Sequence, residues 1–351
     1  MKHIVRLAVS ALALSATLSA CKDEAGGQAG GRDQIRAVGS STVYPFATAV
    51  AEQFVNANPG MKSPIIESTG TGGGMKLFCA GIGAQFPDIE NASRRMKKSE
   101  FEMCQKNGVT DLIEIQIGVD GIAFAESKKG PGYKMTPEIV YKALAATPFD
   151  KGKNTAQTWQ DVDPSLPAIA ISVFGPPSTS GTRDSLAELI LEVGCETDPA
   201  MKALKERDED KFKAVCTRVR EDGKYVDSGE NDNLIVQKLG ANPNAVGVFG
   251  YSFLEENLAT LNDISLSGVP ATYDNVASGE YPGARPLYIY VKKAHIAAVP
   301  GLKTYLETFA SSWAPGGMLA KRGMVAATAP VREKNAEVVK TLPTLNGAEL
   351  K

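Results

Sequence analysis

The chain has 351 residues, 38 basic and 40 acidic side chains, a net charge of −2 and 43% hydrophobic residues. So even a balance offers no concentrated basic face for nucleic acid, whose phosphates demand one. Only two histidines occur, His3 and His295, and there is no CxxC. A zinc or binuclear metal centre would have to be almost wholly carboxylate, which tells against a metallophosphatase and any resident metal.

The N-terminus reads Met1-Lys2-His3-Ile4-Val5-Arg6, then an apolar run from Leu7 to Leu18, then Ser19-Ala20-Cys21. A basic start, a short apolar centre and small residues before the cut predict a secretory signal over 1–20 rather than a membrane span. Leu18-Ser19-Ala20-Cys21 resembles a bacterial lipobox, in which Cys21 becomes the lipidated first residue; a plain signal cut after Ala20 is the alternative. Residues 21–34, rich in Gly and charge, read as a flexible tether. Removal of Lys2 and Arg6 with the signal leaves 36 basic residues against 40 acidic, a net of −4. Outside the cytoplasm the four remaining cysteines suggest disulfides, and proximity favours Cys79–Cys104 and Cys195–Cys216 over the crossed pairings.

From there strand-like and helix-like pieces alternate. Ile35–Val38 reads as a strand and is followed by Gly39-Ser40-Ser41-Thr42-Val43-Tyr44-Pro45, after which Phe46, Val50 and Phe54 recur every fourth residue. Ile65–Glu67 precedes Ser68-Thr69-Gly70-Thr71-Gly72-Gly73-Gly74 and a helix from Met75. Strands are predicted at Leu112–Val119 and Ile122–Ala125, a helix at Pro137–Ala145, and a strand at Ala168–Val173. Ser178-Thr179-Ser180-Gly181-Thr182-Arg183-Asp184-Ser185 then stands before Leu186, Leu189, Ile190 and Val193, a buried helix stripe. Later come a helix at Asn233–Leu239, strands at Ala245–Phe249 and Leu287–Val291, and a helix at Leu302–Phe309. Thr147–Lys153 and Glu206–Lys213 read as surface excursions. The pattern is α/β, and at this length two lobes are expected.

Three of these helices are entered through hydroxyl- and glycine-rich loops. Ser and Thr are ordinary helix caps, so any one loop is explained by capping alone. A helix start also leaves backbone N–H groups unpaired and carries partial positive charge, which suits a tetrahedral oxyanion. Three such entries in one chain favour a shared anion site. The second loop lacks the Gly-Lys-Ser/Thr ending of a nucleotide P-loop, and no GxSxG elbow occurs. The basic run Arg94, Arg95, Lys97, Lys98 reads as a solvated face, Arg94 excepted.

Gly39-Ser40-Ser41-Thr42-Val43-Tyr44-Pro45, Gly70-Thr71-Gly72-Gly73-Gly74-Met75-Lys76, Asn91-Ala92-Ser93-Arg94, Ser180-Gly181-Thr182-Arg183 and Gly247-Val248-Phe249-Gly250-Tyr251 fall in the order and spacing of a known family. From about Ile35 to Arg322-Gly323-Met324-Val325 the chain resembles the periplasmic phosphate-binding proteins that serve ABC-type phosphate importers. The resemblance implies a two-lobed, class II periplasmic binding protein fold with two crossover strands and the ligand held in the cleft. The crossings are expected near Val119–Ala125 and Leu266–Tyr273, giving lobe I at 35–121 and 270–351 and lobe II at 122–269.

Carried over residue by residue, Ser41 and Thr42 would contact the anion, with Thr71, Ser93, Ser180, Gly181 and Thr182. In the best-known branch of the family an aspartate follows the Ala-Ser pair and accepts the phosphate proton, and an arginine stands four residues before the Ser-Gly-Thr. Here those positions hold Arg94 and Pro176, so the resemblance points to another branch in which Arg94 and Arg183 supply the guanidinium forks. The proton acceptor is then open between Asp120 and Asp232, each also readable as a structural residue, while Asp184 is placed to orient Arg183.

The implied protein is a non-enzymatic, monomeric receptor without a cofactor, held at the bacterial membrane through Cys21 in the periplasm, delivering inorganic phosphate to an ABC permease. Two alternatives stand beside it: a receptor for another oxyanion such as sulfate, molybdate, arsenate or phosphite, and a secreted phosphatase or other hydrolase. The last lacks a paired nucleophile and base.

Overall fold

The computed structural model describes residues 32–229 and 232–350. The signal, Cys21 and most of the tether lie outside the described residues. Among the described residues nine strands form one continuous, folded-over sheet: β1 (Arg36–Gly39), β2 (Ile65–Ser68), β3 (Ile89–Ala92), β4 (Leu112–Ser127), β5 (Val173–Gly175), β6 (Tyr225–Asp227), β7 (Val246–Gly250), β8 (Leu261–Asp263) and β9 (Ala284–Lys292). Their order is β2-β1-β3-β9-β4-β7-β5-β6, with β8 on β4. β1 pairs in parallel with β2 and β3, and β5 with β6 and β7, whereas β4 and β9 run antiparallel to their neighbours.

The expected strands Leu112–Val119 and Ile122–Ala125 are a single 16-residue strand. Its first part pairs with β9 as far as Gly121, and from Ile122 it pairs with β7, so β4 carries the chain from one half of the sheet to the other. On one side Phe46, Val50 and Phe54 of helix α1 (Tyr44–Ala57) pack against Ile113, Ile289 and the helix Leu302–Ser312, with Phe54 edge-on to Tyr305 at 5.8 Å. A second cluster behind that half gathers Met75, Phe78, Cys104 and Tyr290. Beyond Gly121 a separate core forms around Phe124, Tyr141, Trp159, Ile190, Phe212 and Phe249. Val276, Ala277 and Tyr281, which follow the expected second crossing, also pack in this core, as do Val119, Val325 and Ala327.

Two predicted segments read differently in three dimensions. Of the strand expected at Ala168–Val173 only Val173 joins the sheet, as the first residue of β5; the residues before it bond instead to Gln157–Trp159, with Trp159 N donating to Ile169 O and Ile171 N to Gln157 O, both at 2.9 Å, and Ala170 bridging Thr158. Glu206–Lys213 falls instead across two short helices, Pro199–Arg207 and Glu209–Cys216. The Asp208 carboxylate caps the latter by accepting from Lys211 N at 3.0 Å, and Phe212 and Cys216 are buried. Their charged faces hid a short apolar edge. Cys195–Cys216 ties that edge to the core and Cys79–Cys104 closes the first half, the two bridges spanning 21 and 25 residues. Loops of that size contribute about 3 kcal/mol each in the chain-entropy account.

Candidate functional site

The ends of four strands carry the hydroxyl loops, three of them mutually parallel (β1, β2 and β3) and one, β5, parallel to β6 and β7 in the other half. β1 runs into Ser40-Ser41-Thr42, β2 into Thr69-Gly70-Thr71, β3 into Ser93, and β5 into Ser180-Gly181-Thr182. In open α/β sheets the crevice at the carboxyl ends of parallel strands is where ligands sit, since helix starts converge there. Here those ends come from both halves and meet.

Local capping accounts for part of each loop. Ser40 Oγ accepts from Thr42 N at 3.1 Å, and Ser180 Oγ accepts from Thr182 N at 3.2 Å. Thr71 Oγ1 accepts from Ser93 N at 3.1 Å and lies 3.0 Å from Ser93 Oγ, which ties the helix α2 entry (Thr71–Phe78) to the end of β3. Ser41 instead points across the cleft, and Thr42 toward β9. Ser41 Oγ donates to Asp184 Oδ2, and Thr42 Oγ1 accepts from Arg285 Nη2 at 2.7 Å. Gly181 lies so close to the Thr42 backbone that a methyl group on it would be 3.6 Å from Thr42 Cα. The halves are therefore in contact through the predicted anion loops.

Arg285 is the centre of the junction, and sequence reading missed it. It stands directly opposite Asp120 in the β4–β9 ladder, 6% exposed, with Nε donating to Asp120 Oδ2 at 3.3 Å. Its Nη2 also donates to Ser185 Oγ at 3.0 Å, Ser185 donates to Asp120 at 2.5 Å, and Nη1 pairs with Glu188. Glu188 sits in a π-helical segment, Leu186–Leu191, that continues the helix begun at Gly181. Such bulges re-aim side chains and gather at functional sites. The only sequence signal for Arg285 was a lone cation beside an apolar strand; its meaning depends on Asp120, 165 residues away.

The other sequence candidates separate. Arg183 lies over the Tyr225 ring at 4.5 Å and reaches the Pro176 carbonyl at 3.4 Å, the position from which the family arginine is missing. Burial pushes the Tyr225 hydroxyl up to about 12, and that hydroxyl donates to Pro176 O at 2.7 Å. Arg94 spends its fork on Glu100 in helix α3 (Lys98–Lys106), with Nη1 at 2.8 Å and Nη2 at 2.6 Å. Asp184 answers Ser41 rather than orienting Arg183, and burial raises its pKa against the opposing effect of the Ser41 hydroxyl. Asp232 opens the helix Asp232–Ala241, half-buried beside β7. Among the described residues no cluster of three or more His, Cys, Asp or Glu could hold a metal ion, and no helix is long and apolar enough to cross a membrane.

Comparison with known proteins matches this arrangement. The family profile of the PBP superfamily domain covers residues 25–312. Protein SphX of Synechococcus elongatus is 33% identical over 76% of this chain and 71% of its own length. The phosphate-binding protein PstS of Staphylococcus saprophyticus is 27% identical over 88% of this chain and 85% of its own. A crystal structure from Planctomyces limnophilus, described as that of a possible phosphate binding protein, is 26% identical with a TM-score of 0.70, covering 88% of this chain and 97% of that one. Two cores joined through β4 and β9, hydroxyl loops meeting at parallel strand ends, and a profile spanning most of the sequence lead to one conclusion: the chain belongs to the PBP superfamily.

Proposed function

We propose that the protein is a receptor for inorganic phosphate that captures the anion between its lobes and hands it to an ABC permease. The observation that carries this reading is the convergence of Ser41, Thr42, Ser180, Gly181 and Thr182 from two separate cores, in a cleft that also holds the Arg183 and Arg285 guanidiniums. Hydroxyls, helix starts and guanidinium forks are the donors a tetrahedral oxyanion accepts from. Relatives named phosphate-binding protein support phosphate as the ligand. The lobes divide within β4 at Gly121/Ile122 and between Tyr281 and β9. Thr71, Ser93 and Arg94 complete the lobe I wall; Cys21 carries a lipid that holds the monomer at the periplasmic face of the membrane.

Phosphate differs from sulfate by a proton that needs an acceptor, and an unpaired buried acceptor costs affinity for the anion that lacks it. Asp120, held between Arg285 and Ser185, serves that role better than Asp232, whose helix packs on β5 and β7. Isothermal titration of residues 21–351 with phosphate, arsenate, sulfate and molybdate should give one-to-one binding that ranks phosphate and arsenate first. Solution scattering should show a smaller radius of gyration at saturation. A ranking led by sulfate or molybdate would move the protein to the alternative receptor class, and steady release of phosphate from a phosphomonoester would make it a hydrolase.

A further inference from the structure

Glu90 is fully buried on β3, and no described residue donates to either carboxylate oxygen. Its neighbour two residues back shows how unusual that is: Asp88, equally buried, accepts from Arg36 N at 2.7 Å, from His295 Nδ1 at 2.7 Å and from Arg32. A buried carboxylate with no donor is among the costliest arrangements a protein can hold, unless it keeps its proton.

The place of this carboxyl is as telling as its isolation. A methyl group added to Gly39, where the first anion loop begins, would lie 2.7 Å from Glu90 Oε1. One added to Gly74, in the first turns of α2, would overlap Glu90 Oε2 and come within 2.6 Å of Gly39 Cα. Glu90 thus fills the space where the roots of the Ser40–Thr42 loop and the Gly-rich Thr71–Gly74 loop come together, and three residues on the same chain reaches Ser93.

The charged and titratable groups around it are committed elsewhere. On its own strand and the turn after it, Arg94 holds Glu100, and Asp88 is saturated. From β9, Tyr290 donates its hydroxyl to Glu114 at 2.8 Å, and Lys292 donates to Gly81 O at 2.6 Å. From β1, Arg36 reaches Glu67 and the Gln85 carbonyl, and in α2 Lys76 is exposed. Burial raises the Glu90 pKa well above the ordinary range, Glu100 adds to this, and Arg94 only partly opposes it.

We propose that Glu90 is a positioning residue of the anion site, an uncharged carboxyl wedged between the roots of both lobe I loops that sets their spacing. The inference rests on the phosphate reading of that site. Ionised, the same group would put an unpaired negative charge beneath loops that must hold a dianion, so loss of its proton opposes phosphate binding. Protonation of Glu90 and occupancy of the cleft are thereby linked.

The test is the phosphate dissociation constant of the wild-type protein and of Glu90→Gln at several pH values from 8 to 10. Over that span phosphate remains the monohydrogen dianion. Wild-type affinity should fall as Glu90 ionises, by at most tenfold per pH unit, while the variant, which keeps the shape without the charge, should lose at least fivefold less across the series. Parallel profiles would overturn the proposal. So would a Glu90 carboxyl carbon resonance that titrates in the ordinary carboxylate range, a measurement on ligand-free wild-type protein that needs neither a folded variant nor phosphate. If Glu90 titrates high yet phosphate binds at no pH, the phosphate reading fails and with it the linkage.

Discussion

Arg183 and Lys97 show at the scale of single residues how a charge in the cleft differs from one on its rim. Arg183 is half-buried and stacked on Tyr225, with a weak bond to the Pro176 carbonyl. Lys97 is exposed and meets Glu209 of the other lobe only at 4.0 Å. A hydrogen bond to a charged group contributes about 1.5–3 kcal/mol, so Arg183→Ala should weaken phosphate binding roughly tenfold to over a hundredfold. An exposed ion pair contributes about 0–1 kcal/mol, so Lys97→Ala should change affinity by less than about fivefold. Titration calorimetry on both variants decides it. Equal losses would mean that the cleft attracts its ligand through diffuse charge rather than through placed donors.

Helix α2 makes the same distinction for whole elements, because its glycines look interchangeable in the sequence and are not so in the fold. Gly74 is packed against Glu90 and Gly39 Cα, whereas a methyl group on Gly72 would meet nothing within 4 Å. Overpacking a core costs about 1–3 kcal/mol, while an exposed helical Gly→Ala change gains up to about 1 kcal/mol. Gly74→Ala should therefore lower the urea midpoint and Gly72→Ala should raise or keep it; a reversed order would place the close approach at the wrong glycine. The sequence carried the loop but not this detail, since the spacing of Gly70, Gly72, Gly73 and Gly74 announces a loop entering a helix and says nothing of which glycine meets β3. The same limit explains the rest. Elements with a full apolar stripe, such as α1 and Leu302–Ser312, were readable from Phe46, Val50 and Phe54 or Leu302, Leu306 and Phe309. Glu209–Cys216 was not, because only Phe212 and Cys216 are buried. Loops at strand ends could be located from Ser, Thr and Gly; Arg285 and Glu90 could not, for their roles come from partners more than 15 residues away or from having none.

The stability of the whole molecule should depend on pH through two buried groups of opposite sense. Lys292 is completely buried, stacked near the Phe78 and Phe86 rings at 4.9 and 5.4 Å, and burial lowers its pKa to about 7, with Asp88 opposing and Arg32 assisting. The unfolded chain holds that proton up to an ordinary lysine value of about 10.4, so between about 7 and 10 it binds more protons than the folded one and the lysine contribution to stability rises with pH. Glu90 acts in reverse: its folded pKa is raised, so the folded protein is the one that holds the extra proton, and its contribution is full below the unfolded carboxylate value of about 4.3 and declines as pH climbs toward the folded one. Lys292→Met removes only the first effect. Relative to wild type, that variant should have its greatest advantage, or its smallest deficit, below pH 7, because there the wild-type protein must bury a charged ammonium. The difference should then shift steadily toward wild type up to about pH 10. The lost hydrogen bond to the Gly81 carbonyl adds an offset that does not vary with pH, so the slope of the difference carries the result, read from urea unfolding at a series of pH values. A difference that stays level from pH 6 to 10 would show that Lys292 titrates as an ordinary lysine, and that the rings around it leave it in contact with water.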